Sequence, residues 1–456
     1  MYNPVIKKRH FSSDGIKGEV NENITPELCV ALGKAIGFYI TQYNKARRVI
    51  IGHDTRDSSS MIISGLASGL TAFGVDVVHA DELANSGIVL ATIQLGFSFG
   101  ISVSLFSGNK KMNGIKIFNS EGEAIDRDTE NTLDRLISEP HMLNGATKEV
   151  EKMGSIKTVN YEDNYYNLII NRFKDKIKIR PKIAVDFRNG ALYRVGAKIL
   201  SEFSSELVVL NDKPNGTNLI DIFDPHNLAK LCEATIGNQC DVGISFSAEG
   251  SSMVLIDQEG NILSGDEIVA LICLLDPEIE RVVLSYKISK TVKNFLKSKG
   301  IVVMETDKNI QNNFKIIRQV GAQISGKTVA RIIFDDYLPC SDAIYSFLKI
   351  CMHFPDVQTS IKKHLLKDLP KFCRAILKIY IPREKREVFC NSSIINDFIS
   401  IVFKKLEVNE DIRVNLLEDE DAIKIVSESR DKRRAYDIAY NASTFIKKQL
   451  QIIEDS

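Results

Sequence analysis

Two stretches of this chain share one layout, and that duplication limits the possible fold more than any other feature of the sequence. FGISVSLFSGNKKMNGIKI, at 99–117, is an apolar run, a polar Ser/Gly/Asn/Lys segment and a second apolar run. DVGISFSAEGSSMVLI, at 241–256, repeats that order, and the return runs end in similar turns, NSEGEAI from Asn119 and DQEGNIL from Asp257. The pattern predicts a buried strand, an exposed loop at its carboxyl end, and a return strand. Ligands of open α/β sheets sit outside the carboxyl ends of the strands, so both loops are the first candidates for chemistry. Two loops of one design imply a duplicated unit facing one cleft.

The surrounding sequence alternates in the same way. Strands at 48–52 and 75–78 with helices at 58–73 and 86–95 precede the first loop, and strands at 182–186 and 207–210 with helices at 190–203 and 227–234 precede the second. A third unit has strands at 281–285 and 301–305, helices at 291–298 and 309–318, a loop at 321–328 and a strand at 329–334. Alternation of this length predicts mixed, largely parallel sheets with right-handed crossovers. The last part has strands at 375–381, 413–417 and 422–427 with helices at 392–405 and 432–451, an α+β pattern. The expected domains are 1–150, 151–255, 256–370 with a helical linker, and 371–456.

Composition removes several function classes. The 59 basic residues balance the 59 acidic ones, so no global field draws the chain to nucleic acid or a membrane surface. No apolar run reaches the roughly 20 residues that span a bilayer, and MYNPVIKKRHF lacks the apolar core of a signal peptide. The eight cysteines show no C-x-x-C pair and read as buried thiols in a reducing cytoplasm. The seven histidines show no H-x-x-x-H spacing, which argues against a histidine metal site.

The sequence resembles the α-D-phosphohexomutase family, and most of all its phosphoglucosamine mutase branch, over nearly its whole length. The segments that carry the resemblance include FSSDGIKGEVNENITPE, IGHDTRDSSSMIISGLASGLTAFGVDVV and NGIKIFNSEGEAI. VDFRNGALY, PNGTN and IDQEGNILSGDEIVAL complete the match. The resemblance implies three α/β domains and one α+β domain around a central cleft. It also implies a phosphoserine relay that moves a phosphoryl group between two hydroxyls of a hexose phosphate. Four loops would share the work: S-A-S-H-N-P carries the phosphoserine and D-G-D-G-D-R holds magnesium. G-E-x-S-G-H orients the sugar, and R-P-S-G-T-E-P binds the non-transferring phosphate.

Each loop departs from its pattern here. Anchored on Asn113-Gly114-Ile115-Lys116, the phosphoserine position falls on Phe106, which has no oxygen to phosphorylate. A one-residue slip puts Ser107 there instead; the plainer role for Ser107 is a loop hydroxyl bonding its own backbone. Lys17 stands for a family arginine. The metal positions become Ser247, Glu249 and Ser251, too few carboxylates for a hard cation, so Glu249 reads as a solvated loop acid. In the sugar loop Gln323 replaces glutamate, Ser325 is kept and Lys327 replaces histidine. Glutamine bonds hydroxyls but does not accept as a carboxylate does. The phosphate loop becomes NLLEDED, so Glu418, Asp419, Glu420 and Asp421 would repel a phosphate. Asp54, Thr55, Arg56 and Ser58 keep the family pattern, with Ser58 placed to cap the next helix and Arg56 to pair with an acid.

The resulting reading is a cytoplasmic pseudoenzyme of the phosphohexomutase fold, needing no cofactor and acting by binding in carbohydrate and cell-envelope sugar-phosphate metabolism. Its partner would be a protein, such as a genuine mutase or a cell-envelope precursor enzyme, or a sugar phosphate. The alternative is an active, divergent intramolecular phosphotransferase that uses Ser107 and Mg2+. A third class is a metabolite sensor using Lys17, Arg56, Lys110, Lys111 and Lys327.

Overall fold

The paired apolar runs form antiparallel hairpins. Phe99–Val103 pairs with Met112–Asn119, and Val242–Phe246 pairs with Met253–Asp257. On its other edge each first strand lies parallel to a central strand, Arg48–His53 or Lys182–Asp186. That strand is parallel in turn to Asp76–Glu82 or Glu206–Leu210. The structure is a computed structural model and describes residues 9–12, 15–43, 45–105, 109–143, 147–306, 313–353, 361, 365–417 and 421–450.

A third sheet uses the same order. The hairpin Ile324–Lys327 with Arg331–Phe334 lies beside Arg281–Ser285, which runs parallel to Val302–Thr306. The loop expected at 321–328 is therefore corrected to a strand over half its length, Ile324–Lys327. Ile324, Ser325 and Gly326 pair with neighbours on both edges, which confines the turn to the residues just before Arg331. The first sheet is seven-stranded, the second five-stranded and the third four-stranded.

Duplication extends to single hydrogen bonds. Asn119 Oδ1 accepts from the amides of Glu121 and Glu123, both at 3.0 Å. Asp257 Oδ1 accepts from Glu259 at 3.1 Å and Asn261 at 2.9 Å. Gly122 and Gly260 supply the left-handed φ, 77° and 82°, that such a turn needs.

Contacts group the chain into two compact units, Met1–Lys287 with Val302–Leu365, and Ile288–Ile301 with Leu366–Ser456. The first holds the three α/β sheets. The second is α+β: Cys373–Tyr380 and Asp411–Leu417 flank Ala422–Ser429 in an antiparallel sheet. Ile379, Ile423 and Ile425 of that sheet share a core with Ile438 and Ile446 of helix Lys432–Gln449. Helix Lys290–Ser298 is part of this unit, although it connects two strands of the third sheet. The fully buried Glu428 accepts from Ser289 Oγ at 2.5 Å, Thr291 N at 3.2 Å and Arg374 Nε at 3.1 Å, which satisfies the start of that helix.

Cys29, Cys240, Cys273, Cys340 and Cys351 are buried free thiols as expected, whereas Cys390 is exposed. Among the described residues, no helix is long and apolar enough to cross a membrane.

Helices Pro26–Gln42 and Ser58–Thr71 approach closely enough that glycine is required between them. A Cβ on Gly69 would lie 2.4 Å from Val30 O and 2.6 Å from Lys34 N, and one on Gly33 would lie 2.3 Å from Leu66 O. Backbone atoms in the partner helix cannot turn aside as a side chain can. Gly69→Ala should therefore destabilise the protein by about 1–3 kcal/mol through overpacking. That loss should exceed the roughly 0.8–1 kcal/mol that alanine contributes in helix propensity. A urea-midpoint comparison with the parent checks this.

Candidate functional site

Asp54 directly follows the central strand of the first sheet, and its amide donates to Val103 O at 3.1 Å. The Asp54 carboxylate accepts from Arg56 N at 3.2 Å, from Leu105 N at 3.4 Å and from the Arg56 guanidinium. Both side chains are almost wholly buried. Burial pushes the Asp54 carboxyl above the usual carboxylate range, against the pull of Arg56. On the return strand Asn113, fully buried, donates to Ser58 Oγ at 3.0 Å and Ser59 Oγ at 3.4 Å. Arg56 thus pairs with an acid as expected. Ser58, however, lies inside its helix, and its hydroxyl bonds Asn113 rather than capping the helix. Phe106 and Ser107 lie outside the described residues. Lys17 is exposed on strand Gly15–Glu19, opposite Gly114.

The second sheet repeats the clamp. Asp186 accepts from Arg188 N and Asn211 Nδ2, both at 2.8 Å, and Arg188 Nε reaches Ser245 Oγ at 2.7 Å. Burial again raises the Asp186 carboxyl, with Arg188 opposing. Arg188 and Asn189 take left-handed φ of 54° and 55°, uncommon for non-glycine residues.

At the second hairpin the turn is built into its surroundings. Ser247 Oγ accepts from Ser251 N at 3.2 Å and Ser252 N at 3.1 Å. The carbonyls of Ala248, Glu249 and Gly250 receive the amides of Ala191, Asn85 and Ala343 at 2.9, 3.2 and 3.0 Å. The Glu249 side chain, 0% exposed, lies between two cations. Lys116 Nζ is 2.5 Å from Oε2, and Arg331 Nη2 is 2.5 Å from Oε1. Ser251 Oγ donates to Oε1, also at 2.5 Å. The expectation of a solvated loop acid is corrected: Glu249 is buried because the first and third hairpins each bring a cation to it. Lys116 is on the return strand of the first hairpin, and Arg331 opens that of the third. The donor set does not suit magnesium. Each Glu249 oxygen faces a protein cation, one serine hydroxyl accepts two amides, and the other donates to Glu249. A dication would meet the charges of Lys116 and Arg331 at close range.

The structure separates the other expected site residues. Gln323 Oε1 accepts from Glu280 N at 3.1 Å and Arg281 N at 2.9 Å, at the amino end of the parallel strand pair. Lys327 is at the opposite end, across the hairpin from Arg331. Ser325, between them, is 1% exposed, and its Oγ has no hydrogen-bond partner. In the second unit the Asp421 carboxylate pairs with Arg386, and its carbonyl accepts from Ile381 N at 2.8 Å. Glu418, Asp419 and Glu420 lie outside the described residues.

A cluster that spacing rules missed joins His53, His79 and Asp81 from two adjacent strands. Helical motif spacings do not register partners brought together by parallel pairing. The usable signal was a histidine just beyond each of two successive predicted strands.

Three copies of one hairpin-bearing sheet followed by an α+β unit define a phosphohexomutase-type architecture. The chain matches the α-D-phosphohexomutase superfamily. Residues 8–142 match the family described as phosphoglucomutase/phosphomannomutase, alpha/beta/alpha domain I. The chain is 27% identical to phosphoglucosamine mutase of Fusobacterium nucleatum subsp. nucleatum, covering 97% of this chain and 99% of that one. It is 28% identical to phosphoglucosamine mutase of Bdellovibrio bacteriovorus, with the same coverage of 97% and 99%. In fold it is similar to a phosphoglucomutase/phosphomannomutase family protein from Burkholderia thailandensis, with a TM-score of 0.79 at 18% identity and 98% of both chains covered.

Removing one charge from a buried cluster leaves its partners uncompensated. Glu249→Gln should cost about 3–5 kcal/mol of stability, whereas Lys116→Met/Glu249→Met/Arg331→Met should recover most of it. Denaturant midpoints of the two variants check the order.

Proposed function

We propose that this chain is a catalytically silent member of the phosphohexomutase fold that works by binding. The observation that carries the reading is Glu249, held by Lys116, Arg331 and Ser251 where the resemblance places the magnesium loop. In phosphoryl transfer a metal offsets the charge that develops on the transferred group, and here the positions that would hold it bond protein groups instead. By the same resemblance Phe106 occupies the phosphoserine position, and a phenyl ring cannot accept a phosphoryl group. The same resemblance supplies the ligand class. The ligand class that fits is a sugar phosphate, with a protein partner in the same metabolism as the other binding mode.

Purified protein should not interconvert glucosamine 1-phosphate and glucosamine 6-phosphate, and its intact mass should show no phosphoryl group. Phe106→Ser alone should remain silent, because catalytic groups that act as a unit are not restored one at a time. Turnover that survives repurification and is lost in Ser107→Ala would overturn the proposal.

Magnesium should not stabilise the fold beyond an ionic-strength control. A specific ligand at about 100 times its dissociation constant adds roughly 2.7 kcal/mol, which a melting curve resolves readily. A magnesium-specific shift abolished by Glu249→Gln would place a metal at the loop after all.

A further inference from the structure

We propose that His53, His79 and Asp81 form a binding site for a divalent transition-metal ion of the zinc class. One nitrogen of each imidazole and one carboxylate oxygen all lie within 4.8 Å of one another. His53 Nε2 is 3.7 Å from Asp81 Oδ1, and the two rings stack with centroids 5.3 Å apart and planes 18° from parallel. Two imidazoles and a carboxylate suit zinc and its neighbours, whereas magnesium and calcium take oxygen ligands.

The backbone brings these groups together by a local irregularity. His53 closes strand Arg48–His53, and His79 and Asp81 lie in the parallel strand Asp76–Glu82. The register passes from Ile51 opposite His79 to His53 opposite Glu82, so the second strand carries an extra residue over this interval. A regular strand would hold residues 79 and 81 about 7 Å apart along one face. Asp81 instead takes φ 59°, a left-handed conformation costly for an aspartate in a strand. Strain of this kind persists where it aims a side chain, and here the carboxylate turns toward His53.

Hydrogen bonding leaves a His53 nitrogen lone pair facing the carboxylate. His53 Nδ1 is 2.6 Å from the Asp54 carbonyl, which can only accept, so the neutral ring carries its proton on Nδ1 and presents Nε2 to Asp81. A backbone carbonyl on the far nitrogen is the usual orienting partner of a metal-bound histidine. His79 Nε2 is buried and has no hydrogen-bond partner. Burial, and then the neighbouring His53, hold the His79 imidazole below its ordinary range, with Asp81 opposing.

Tetrahedral zinc, with bonds of about 2.0–2.2 Å, sets ligand atoms about 3.4 Å apart. The His53–Asp81 pair is already near that spacing. The Asp81 side chain is 53% exposed, so it can swing and leave a solvent-facing coordination position. The imidazoles turn about a soft terminal torsion. The site is independent of Glu249 and of the binding role proposed above. An ion there would staple two parallel strands beside Asp54, which holds Leu105 at the start of the first loop.

The test is a titration of reduced, chelator-stripped, tag-free full-length protein with Zn2+ alone and with Co2+ alone. Zinc should bind with a stoichiometry of one per chain and raise the melting temperature. Cobalt should give the visible spectrum of a nitrogen- and oxygen-ligated tetrahedral ion, without thiolate charge transfer. Asp81→Asn and His79→Gln should each weaken binding by more than about tenfold. If His79→Gln fails to fold, Asp81→Asn at the exposed ligand decides. Unchanged affinity in a folded variant, a thiolate spectrum, or no saturable zinc binding would overturn the proposal.

Discussion

A carboxylate shut away from water has to be met by positive charge, and Glu249 is met twice. Desolvating three charges is expensive, and the arrangement is tolerable only because each contact is short and directional. Its geometry has a larger consequence. Lys116, Glu249 and Arg331 come one from each of three equivalent hairpins, so the cluster holds only if all three sheets keep their registers. Side-chain period in a strand is two, so a slip of one residue on the Lys116 or Arg331 strand would carry that cation to the other face. The ion cluster therefore checks the sheets against one another.

The same molecule keeps a smaller device in duplicate. Asp54 with Arg56, and Asp186 with Arg188, each stand at the carboxyl end of a central parallel strand and reach toward the neighbouring hairpin. In both the aspartate also accepts from the amide of the arginine, which folds the chain sharply as it leaves the strand. The pairs are scaffolding for loop departures. That role sets where a loop starts and places no demand on the side chains the loop carries.

What could be read from the sequence was what neighbours in sequence determine. The hairpins and the turns at Asn119 and Asp257 follow from alternation, glycine and a side chain bonding amides two and four residues on. Glu249 was misread because its partners are 133 and 82 residues away, and nothing local distinguishes a solvated acid from one enclosed by distant cations. Gln323 was assigned to a sugar by likeness, whereas its amide bonds the start of an adjacent strand. The histidine cluster needed both a parallel register and a bulge, and a bulge leaves almost no trace in composition.

The segment Ile288–Ile301 makes the chain cross between its two units more than once. The polypeptide leaves the first unit after Lys287, returns at Val302, and leaves again after Leu365. The C-terminal unit is thus not a bead on a single string. A protease that cuts only near 365 splits it, leaving its own helix on the first fragment and the rest on the second. A gene truncated to begin at 366 would lack Ser289 and Thr291, stranding the buried Glu428 carboxylate with Arg374 as its remaining described partner from the sheet. For this architecture, a foldable fragment is defined by the path of the chain and not by a boundary drawn along it.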